Sequence, residues 1–253
     1  MPALLLSVAL FALTPPDPHA AVGRVAAAYK LKAVSADPEF PVKTTYGKIE
    51  GQAATTEELA EYAPLFVSEF ALYPPELVKK TELKRVVFCT NLSFAGQKRT
   101  AVPDFEHDTL YLDVARGMPN TAYLRLVLHH EFFHVIDLHD DGSLTEDKGW
   151  AKLNPADFKY GTGGVTAQND SGTSVPNDKV PGFLNHYSTT AVEEDKAEVF
   201  AYLMTDPEYL AGRAKKDEVL AAKAKRMKKL LADFCPEADD TFWEAAGKVP
   251  RGK

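Results

Sequence analysis

The stretch that decides the fold is residues 121–139, which read TAYLRLVLHHEFFHVIDLH. It follows the turn-forming run Gly117-Met118-Pro119-Asn120, and Asn120 or Thr121 is the predicted helix cap. Apolar residues dominate the stretch, so it predicts a buried α-helix that ends near His139. Histidine and glutamate are costly inside such a helix unless they are paired or bound to metal. We therefore expect the functional site on this helix.

His130, Glu131 and His134 form the pattern HExxH. Residues four apart share one face of a helix, so both imidazoles can bind one metal ion while Glu131 lies beside them. Zn²⁺ suits two neutral imidazoles and an oxygen ligand, and a catalytic zinc site keeps a fourth position for water. Zinc lowers the pKa of that water, and Glu131 can accept its proton as general base. His129 points about a hundred degrees away and is expected to pack rather than to bind metal.

A third ligand must come from elsewhere, and the best source is Glu193-Glu194-Asp195-Lys196-Ala197-Glu198 on a later predicted helix. Glu194 and Glu198 are four apart and share a face. We predict that Glu194 binds the metal and that Glu198 orients a ligand histidine, with the reverse assignment as the alternative. Asp137, one turn beyond His134, could accept a hydrogen bond from an imidazole or could face water.

Peptide hydrolysis also needs a hydrogen-bond donor for the tetrahedral intermediate. Tyr187, just ahead of the Glu194 helix, is the leading candidate, and a buried tyrosine with a structural role is the alternative. His186 and Tyr160 are further candidates for the same role.

The rest of the pattern predicts one α+β domain over residues 22–253. Thr55 begins a helix that Pro74-Pro75 ends, and residues 83–90 and 109–114 are predicted strands of a small mixed sheet. The second of these strands is expected to lie at the sheet edge, where an extended peptide could pair with it. The C-terminal part is predicted to be helical.

Further signals lie in the predicted helical part and in the segment that precedes it. Thr190 and Glu193 fit a capping box for the Glu194 helix, and Asp206-Pro207-Glu208 begins the next helix. Residues 161–182 lack apolar periodicity and are predicted to be a functional loop or a mobile lid. The larger insert, Trp150 to Gly182, is expected to rim the cleft.

The N-terminus has the outline of a signal peptide over residues 1–21. An apolar run, Ala3 to Leu13, is broken by prolines and followed by Ala20-Ala21. The run is too short to span a bilayer, and no cysteine at its end offers a lipid anchor, so a stable membrane anchor is not expected. These features predict an exported protein, periplasmic or secreted.

The composition indicates a folded chain and argues against one class of partner. The chain has 253 residues, 45% of them hydrophobic, so it can bury a sizeable core. Its net charge of -7 argues against a nucleic-acid partner. Cys89 and Cys235 could pair in an exported protein, or could be two buried free thiols.

These residues resemble the zincin metallopeptidases in which a glutamate from a later helix completes HExxH. More narrowly, the chain resembles a bacterial family of zinc-binding metallopeptidases distantly similar to the anthrax lethal factor catalytic domain. The resemblance covers about residues 50–205 and is carried by Tyr73-Pro74-Pro75, His130 to Asp137, Trp150 to Gly161, Gly182 to Tyr187 and Glu194 to Glu198. It implies a zincin-like fold, Glu194 as zinc ligand and a tyrosine near the site. Lys196 departs from the pattern, because an aromatic residue is usual there, which leaves the local packing open.

The leading hypothesis is a zinc-dependent peptide hydrolase that acts on a peptide or protein substrate. The alternative is a zinc-binding interaction domain without catalysis, and a third hypothesis is a zinc hydrolase of other acyl groups. Glu131→Gln separates the first two, because a hydrolase should lose turnover and keep zinc while an interaction domain should be unaffected.

Overall fold

The computed structural model describes residues 17–161 and 175–251. Residues 1–16 of the predicted signal peptide lie outside these ranges, and so do residues 162–174 of the predicted loop at 161–182. Within the described ranges, no helix combines the length and the apolar character that crossing a membrane requires.

Nine α-helices and a 3₁₀ turn lie in the described ranges. The helices are α1 (Pro18–Ala28), α2 (Thr56–Phe70), α3 (Pro75–Lys80), α4 (Thr121–Asp141), α5 (Lys148–Ala151), α6 (Val192–Thr205), α7 (Pro207–Ala214), α8 (Glu218–Phe234) and α9 (Asp240–Gly247), and the 3₁₀ turn is Tyr187–Thr189.

Seven strands form one mixed sheet. They are β1 (Lys32–Val34), β2 (Val42–Thr44), β3 (Gly47–Ala53), β4 (Arg85–Phe94), β5 (Gln97–Lys98), β6 (Ala101–Asp104) and β7 (Thr109–Asp113). The order is β2-β3-β4-β7-β6, and β1 and β5 also pair with β4. The pairs β1–β4 and β4–β7 are parallel, and the other pairs are antiparallel.

The prediction that residues 109–114 form an edge strand is wrong. Residues 109–113 form β7, which pairs with β4 on one side and with β6 on the other. All five of its residues are buried, so its alternating apolar pattern reflects an interior position. The edge strand next to β7 is β6, which carries Pro103 and has too little alternation to be recognised from the sequence.

Local sequence signals explain the helix beneath the sheet. The Asn120 side chain accepts a hydrogen bond from the backbone N–H of Tyr123 at 3.1 Å, as the predicted cap requires. Gly142, at φ 79°, ends α4 in the left-handed conformation that glycine adopts without strain. α4 packs against α2, against β6 and β7 of the sheet, and against α6, where the rings of Phe133 and Phe200 are 5.0 Å apart.

The predicted capping box of the Glu194 helix does not form. α6 begins at Val192, and the hydroxyl of Thr190 donates instead to the carbonyl oxygen of Tyr187 at 2.7 Å. That bond closes the preceding 3₁₀ turn, so the threonine is used one element earlier than the pattern suggests. Three acidic residues in the first turn of α6 still favour the helix through its dipole.

The two cysteines are buried free thiols. Cys89 lies within β4 and Cys235 follows α8, and both side chains are fully buried. Of the two alternatives, the structure therefore has the unpaired one.

Candidate metal centre

Two histidines of α4 and one glutamate of α6 bring their ligand atoms together. The Nε2 atoms of His130 and His134 are 3.2 Å apart. Glu194 Oε2 lies 3.0 Å from His130 Nε2 and 3.5 Å from His134 Nε2. All three could hold one metal ion. The site exists because α4 and α6 pack against each other at this level.

Glu198 lies behind His130 rather than in front of it. Its Oε1 is 3.2 Å from His130 Nδ1, the ring nitrogen that faces away from the cluster. Its other oxygen accepts a hydrogen bond from Asn185 Nδ2 at 2.8 Å. The carboxylate therefore lies between the amide of Asn185 and the imidazole of His130. Asn185 was not predicted for this role, although it stands in the stretch that carries the family resemblance.

Glu131 opens onto a surface cavity of about 250 Å³ beside the cluster. His134, Tyr187 and Glu194 also line this cavity. Burial raises the pKa of the Glu131 carboxyl, and the charge of Glu194 adds to the effect, while the two cluster histidines and Arg99 oppose it.

The Glu194 carboxylate is held in its charged form. Burial alone would raise its pKa, but hydrogen bonds and charges from His130 and His134 hold the pKa of Glu194 well below its usual range. Its position in the first turn of α6 adds the favourable end of the helix dipole.

Tyr187 is the tyrosine at the cluster. Its hydroxyl donates to Glu194 Oε1 at 2.8 Å, and its ring lies 5.8 Å from the ring of His130. The other two donor candidates lie elsewhere. His186 is exposed and contacts Thr189. Tyr160 donates to Asp195 at 2.6 Å, outside the cavity.

Asp137 neither hydrogen-bonds an imidazole nor faces water, which corrects both alternatives predicted for this residue. Its carboxylate forms an ion pair with Lys196, and both side chains are fully buried. Lys196 Nζ also lies 3.4 Å from Asp147 Oδ2. Lysine at the position where the resemblance expects an aromatic residue is thus matched by carboxylates from two other segments.

The insert packs behind α6 where it is described. Trp150 Nε1 and the Tyr160 hydroxyl both donate to Asp195 Oδ2, at 2.8 and 2.6 Å. Lys223 of α8 pairs with the same oxygen at 2.7 Å. Of the described residues, Leu144 and Thr145 line the cavity instead, so the cleft-rimming role is not seen in the described part of the insert.

His129 faces away from the cluster, about a hundred degrees around α4 from His130. Its Nε2 lies 3.0 Å from Glu69 Oε2, and its Nδ1 lies 2.5 Å from the Tyr73 hydroxyl. Because a carboxylate only accepts, Nε2 carries the proton and the tyrosine donates to Nδ1. Arg251 and Arg125 also pair with Glu69. The sequence gives no signal for this buried cluster, because its members are far apart in the chain.

One of three comparisons with known proteins supports this architecture. Neither the protein-family models nor the curated proteins match the sequence. One solved structure is similar, described as a "putative zinc-binding metallo-peptidase" from Bacteroides caccae. The likeness has a TM-score of 0.60 at 16% identity and covers 92% of this chain and 91% of the other. At this identity it shows a shared fold, and the predicted α+β fold class with a small mixed sheet is confirmed.

Proposed function

We propose that this chain is a zinc-dependent peptide hydrolase. The observation that carries the proposal is the convergence of His130, His134 and Glu194 beside Glu131 at the wall of a cavity. The solved structure of similar fold is described as a zinc-binding metallopeptidase, which favours the same reading.

The donor set fits zinc. Four-coordinate zinc with bonds of about 2.0–2.1 Å keeps its ligand atoms roughly 3.4 Å apart. The three separations among the ligand atoms here are 3.0, 3.2 and 3.5 Å. Two imidazoles and one carboxylate are also the ligand types of a catalytic zinc site with a position left for water.

The chain's own residues would carry the proton and the charge. When bound, zinc would supply a water molecule of lowered pKa and polarise the substrate carbonyl. Glu131 would accept a proton in the attack and return it to the leaving amine. The Tyr187 hydroxyl would donate to the developing oxyanion, which requires it to leave Glu194. Glu198 would keep His130 in the ligating orientation.

β6 offers the surface on which a substrate would lie. Ala101, Val102 and Pro103 of this edge strand line the cavity. An extended peptide could pair with the free edge, except at Pro103, which has no N–H to donate. The proposed substrate is accordingly an extended segment of a peptide or protein.

Metal content and turnover test the proposal together. We expect the chain purified without chelator to carry about one zinc, and His130→Ala/His134→Ala to carry none. Glu131→Gln should keep zinc and lose about 10²–10⁴-fold in cleavage of a peptide library. Wild-type chain that binds zinc and cleaves nothing would favour the interaction domain. Chain that takes up no zinc after reloading would refute both hypotheses.

We also propose that the chain is exported, on the signal-peptide pattern of residues 1–21 alone. Cleavage after Ala21 would remove Asp17, whose side chain caps α1, and the first turn of that helix. The intact mass of protein recovered from the periplasm or medium tests this. An uncleaved chain retained in the cytoplasm would contradict export.

A further inference from the structure

A tight hairpin carries two residues of the cavity wall. Between β4 and β5 the chain turns through Ala95 and Gly96, whose φ angles are 50° and 78°. Positive φ at both central residues is typical of the type I′ turn that joins twisted strands. The turn is followed by a backbone hydrogen bond of 2.9 Å from Arg99 to Leu92. Phe94 and Arg99 therefore reach the cavity from a hydrogen-bonded frame.

The guanidinium of Arg99 has N–H donors that no carboxylate of the described residues uses. The side chain is half-buried, and its Nη2 donates to Gln97 Oε1 at 2.9 Å. Arginine has five N–H donors, and no carboxylate in the described part of the chain forms an ion pair with Arg99. By contrast, Arg125, Arg226 and Arg251 each pair with a buried or nearly buried carboxylate.

The cavity has two chemically different sides. The hairpin and edge-strand side is apolar apart from Arg99, and its apolar members are Phe94, Ala101, Val102, Pro103 and Phe105. The α6 side is acidic, with Glu193 and Glu194. Among the described lining residues, Arg99 is the only lysine or arginine. A peptide on β6 would therefore meet a cation and aromatic rings on the same side.

We propose that Arg99 selects peptides in which a carboxylate lies next to an apolar side chain. The planar guanidinium matches a carboxylate with two parallel hydrogen bonds, and the rings of Phe94 and Phe105, which line the same cavity, would cover the apolar neighbour. The carboxylate can come from an aspartate or glutamate side chain or from a free carboxyl terminus. This inference rests on the proposed function, because it names the substrate class of the same site.

A charge-matched pair of variants tests the selection. Peptides that differ only in glutamate, glutamine or lysine at each position near the cleaved bond are compared, with carboxyl-terminal acid and amide forms of each. We expect wild-type chain to cleave the peptide with glutamate at one position, or the peptide with a free carboxyl terminus, with a kcat/KM about tenfold above that of the matching glutamine or amide peptide. Arg99→Glu should abolish that preference or transfer it to lysine. Lys98→Glu changes the net charge equally at an exposed neighbour outside the cavity lining, and should keep it.

Arg99→Gln guards against a folding defect, since it removes the charge and keeps a hydrogen-bonding side chain. We expect it to reduce the preference for glutamate without creating one for lysine. Equal cleavage of glutamate and glutamine peptides by wild-type chain, or an unchanged preference in Arg99→Glu, would overturn the inference.

Binding separates this inference from the hydrolase proposal. The affinities of fluorescent glutamate and glutamine peptides are measured by anisotropy on zinc-loaded Glu131→Gln, with and without Arg99→Glu. Tighter binding of the glutamate peptide that depends on Arg99 supports the selection even if wild-type chain cleaves nothing. Cleavage by wild-type chain with equal affinities for both peptides would leave the hydrolase standing and refute the selection.

Discussion

The buried ion pair between Lys196 and Asp137 predicts a large and specific stability effect. It joins α6 to α4 one turn beyond His134, and both side chains are fully buried. Burial raises the pKa of Asp137 to about 6, although Lys196 opposes the shift. Lys196→Met keeps the length of the side chain and removes its charge. Because Asp137 is then left without its cation, we expect a loss of about 3–5 kcal/mol in the free energy of unfolding.

The assay is urea unfolding followed by circular dichroism, with chelator in every sample so that metal affinity does not contribute. The melting temperature should fall by roughly 6–20 °C, at about 2–4 °C per kcal/mol for a chain of this size. Loss of the cation raises the pKa of Asp137 in the folded chain further, so protonation of Asp137 removes the unpaired buried charge of the variant. Its deficit should therefore shrink as the pH falls from 7 to 5.

A double variant gives the sharper result. Lys196→Met with Asp137→Leu removes both charges, while Asp147 keeps Arg226 at 3.0 Å. We expect the double variant to recover at least half of the single loss. As a control, Lys229→Met breaks an exposed pair with Asp233 and should cost about 0.5 kcal/mol or less. A single loss below about 1 kcal/mol, or a double loss equal to the sum of the singles, would refute the reasoning.

Three further predictions concern the site and its support. Burial lowers the pKa of His130, but Glu194 and Glu198 raise it well above its usual value; zinc binding should therefore release a proton and tighten as the pH rises, and calorimetry in buffers of different ionisation enthalpy should show it. Tyr187→Phe should cost about 10²–10³-fold in kcat with zinc retained, and an unchanged kcat would leave Tyr187 a structural role. Burial raises the pKa of Glu69, but hydrogen bonds and charges from His129 and Arg251 outweigh it and lower the pKa to about 2. A carboxyl whose pKa is lower in the folded than in the unfolded chain stabilises the fold at pH values above the unfolded pKa. The stability advantage of wild type over Glu69→Gln should therefore shrink by about 3 kcal/mol as the pH falls from 4.5 to 2. An advantage that stays constant with pH in urea titrations would contradict this.

Local patterns were sufficient for the elements that carry the site. An apolar run with a cap at Asn120 and a glycine at its end specifies α4, and fixed helical geometry then places His130 and His134 on one face. The proline and cap signals at Asp206 formed as the sequence predicts, and the helix predicted to begin at Thr55 does so, with the Thr55 side chain as its cap. These features depend on residues a few positions apart, so they can be read without the fold.

Long-range packing decided the rest. The Thr190 hydroxyl donates to a carbonyl oxygen instead of accepting a hydrogen bond as a helix cap, and the edge position of β6 depends on which strand β7 meets. The neighbour of Asp137 is a lysine 59 residues later, and only the contact between α4 and α6 makes them a pair.

By itself, the sequence determined a capped, apolar helix that carries His130, Glu131 and His134 in the pattern HExxH. It also determined an acidic helix that could supply the third metal ligand. Only the tertiary structure decided that Glu194 faces the cluster and Glu198 supports His130 from behind, and that Arg99 reaches the same cavity from a hairpin. The physical reason is range: helix periodicity and capping act within a few residues, whereas the mutual placement of two helices and a sheet edge is settled by burying one shared core.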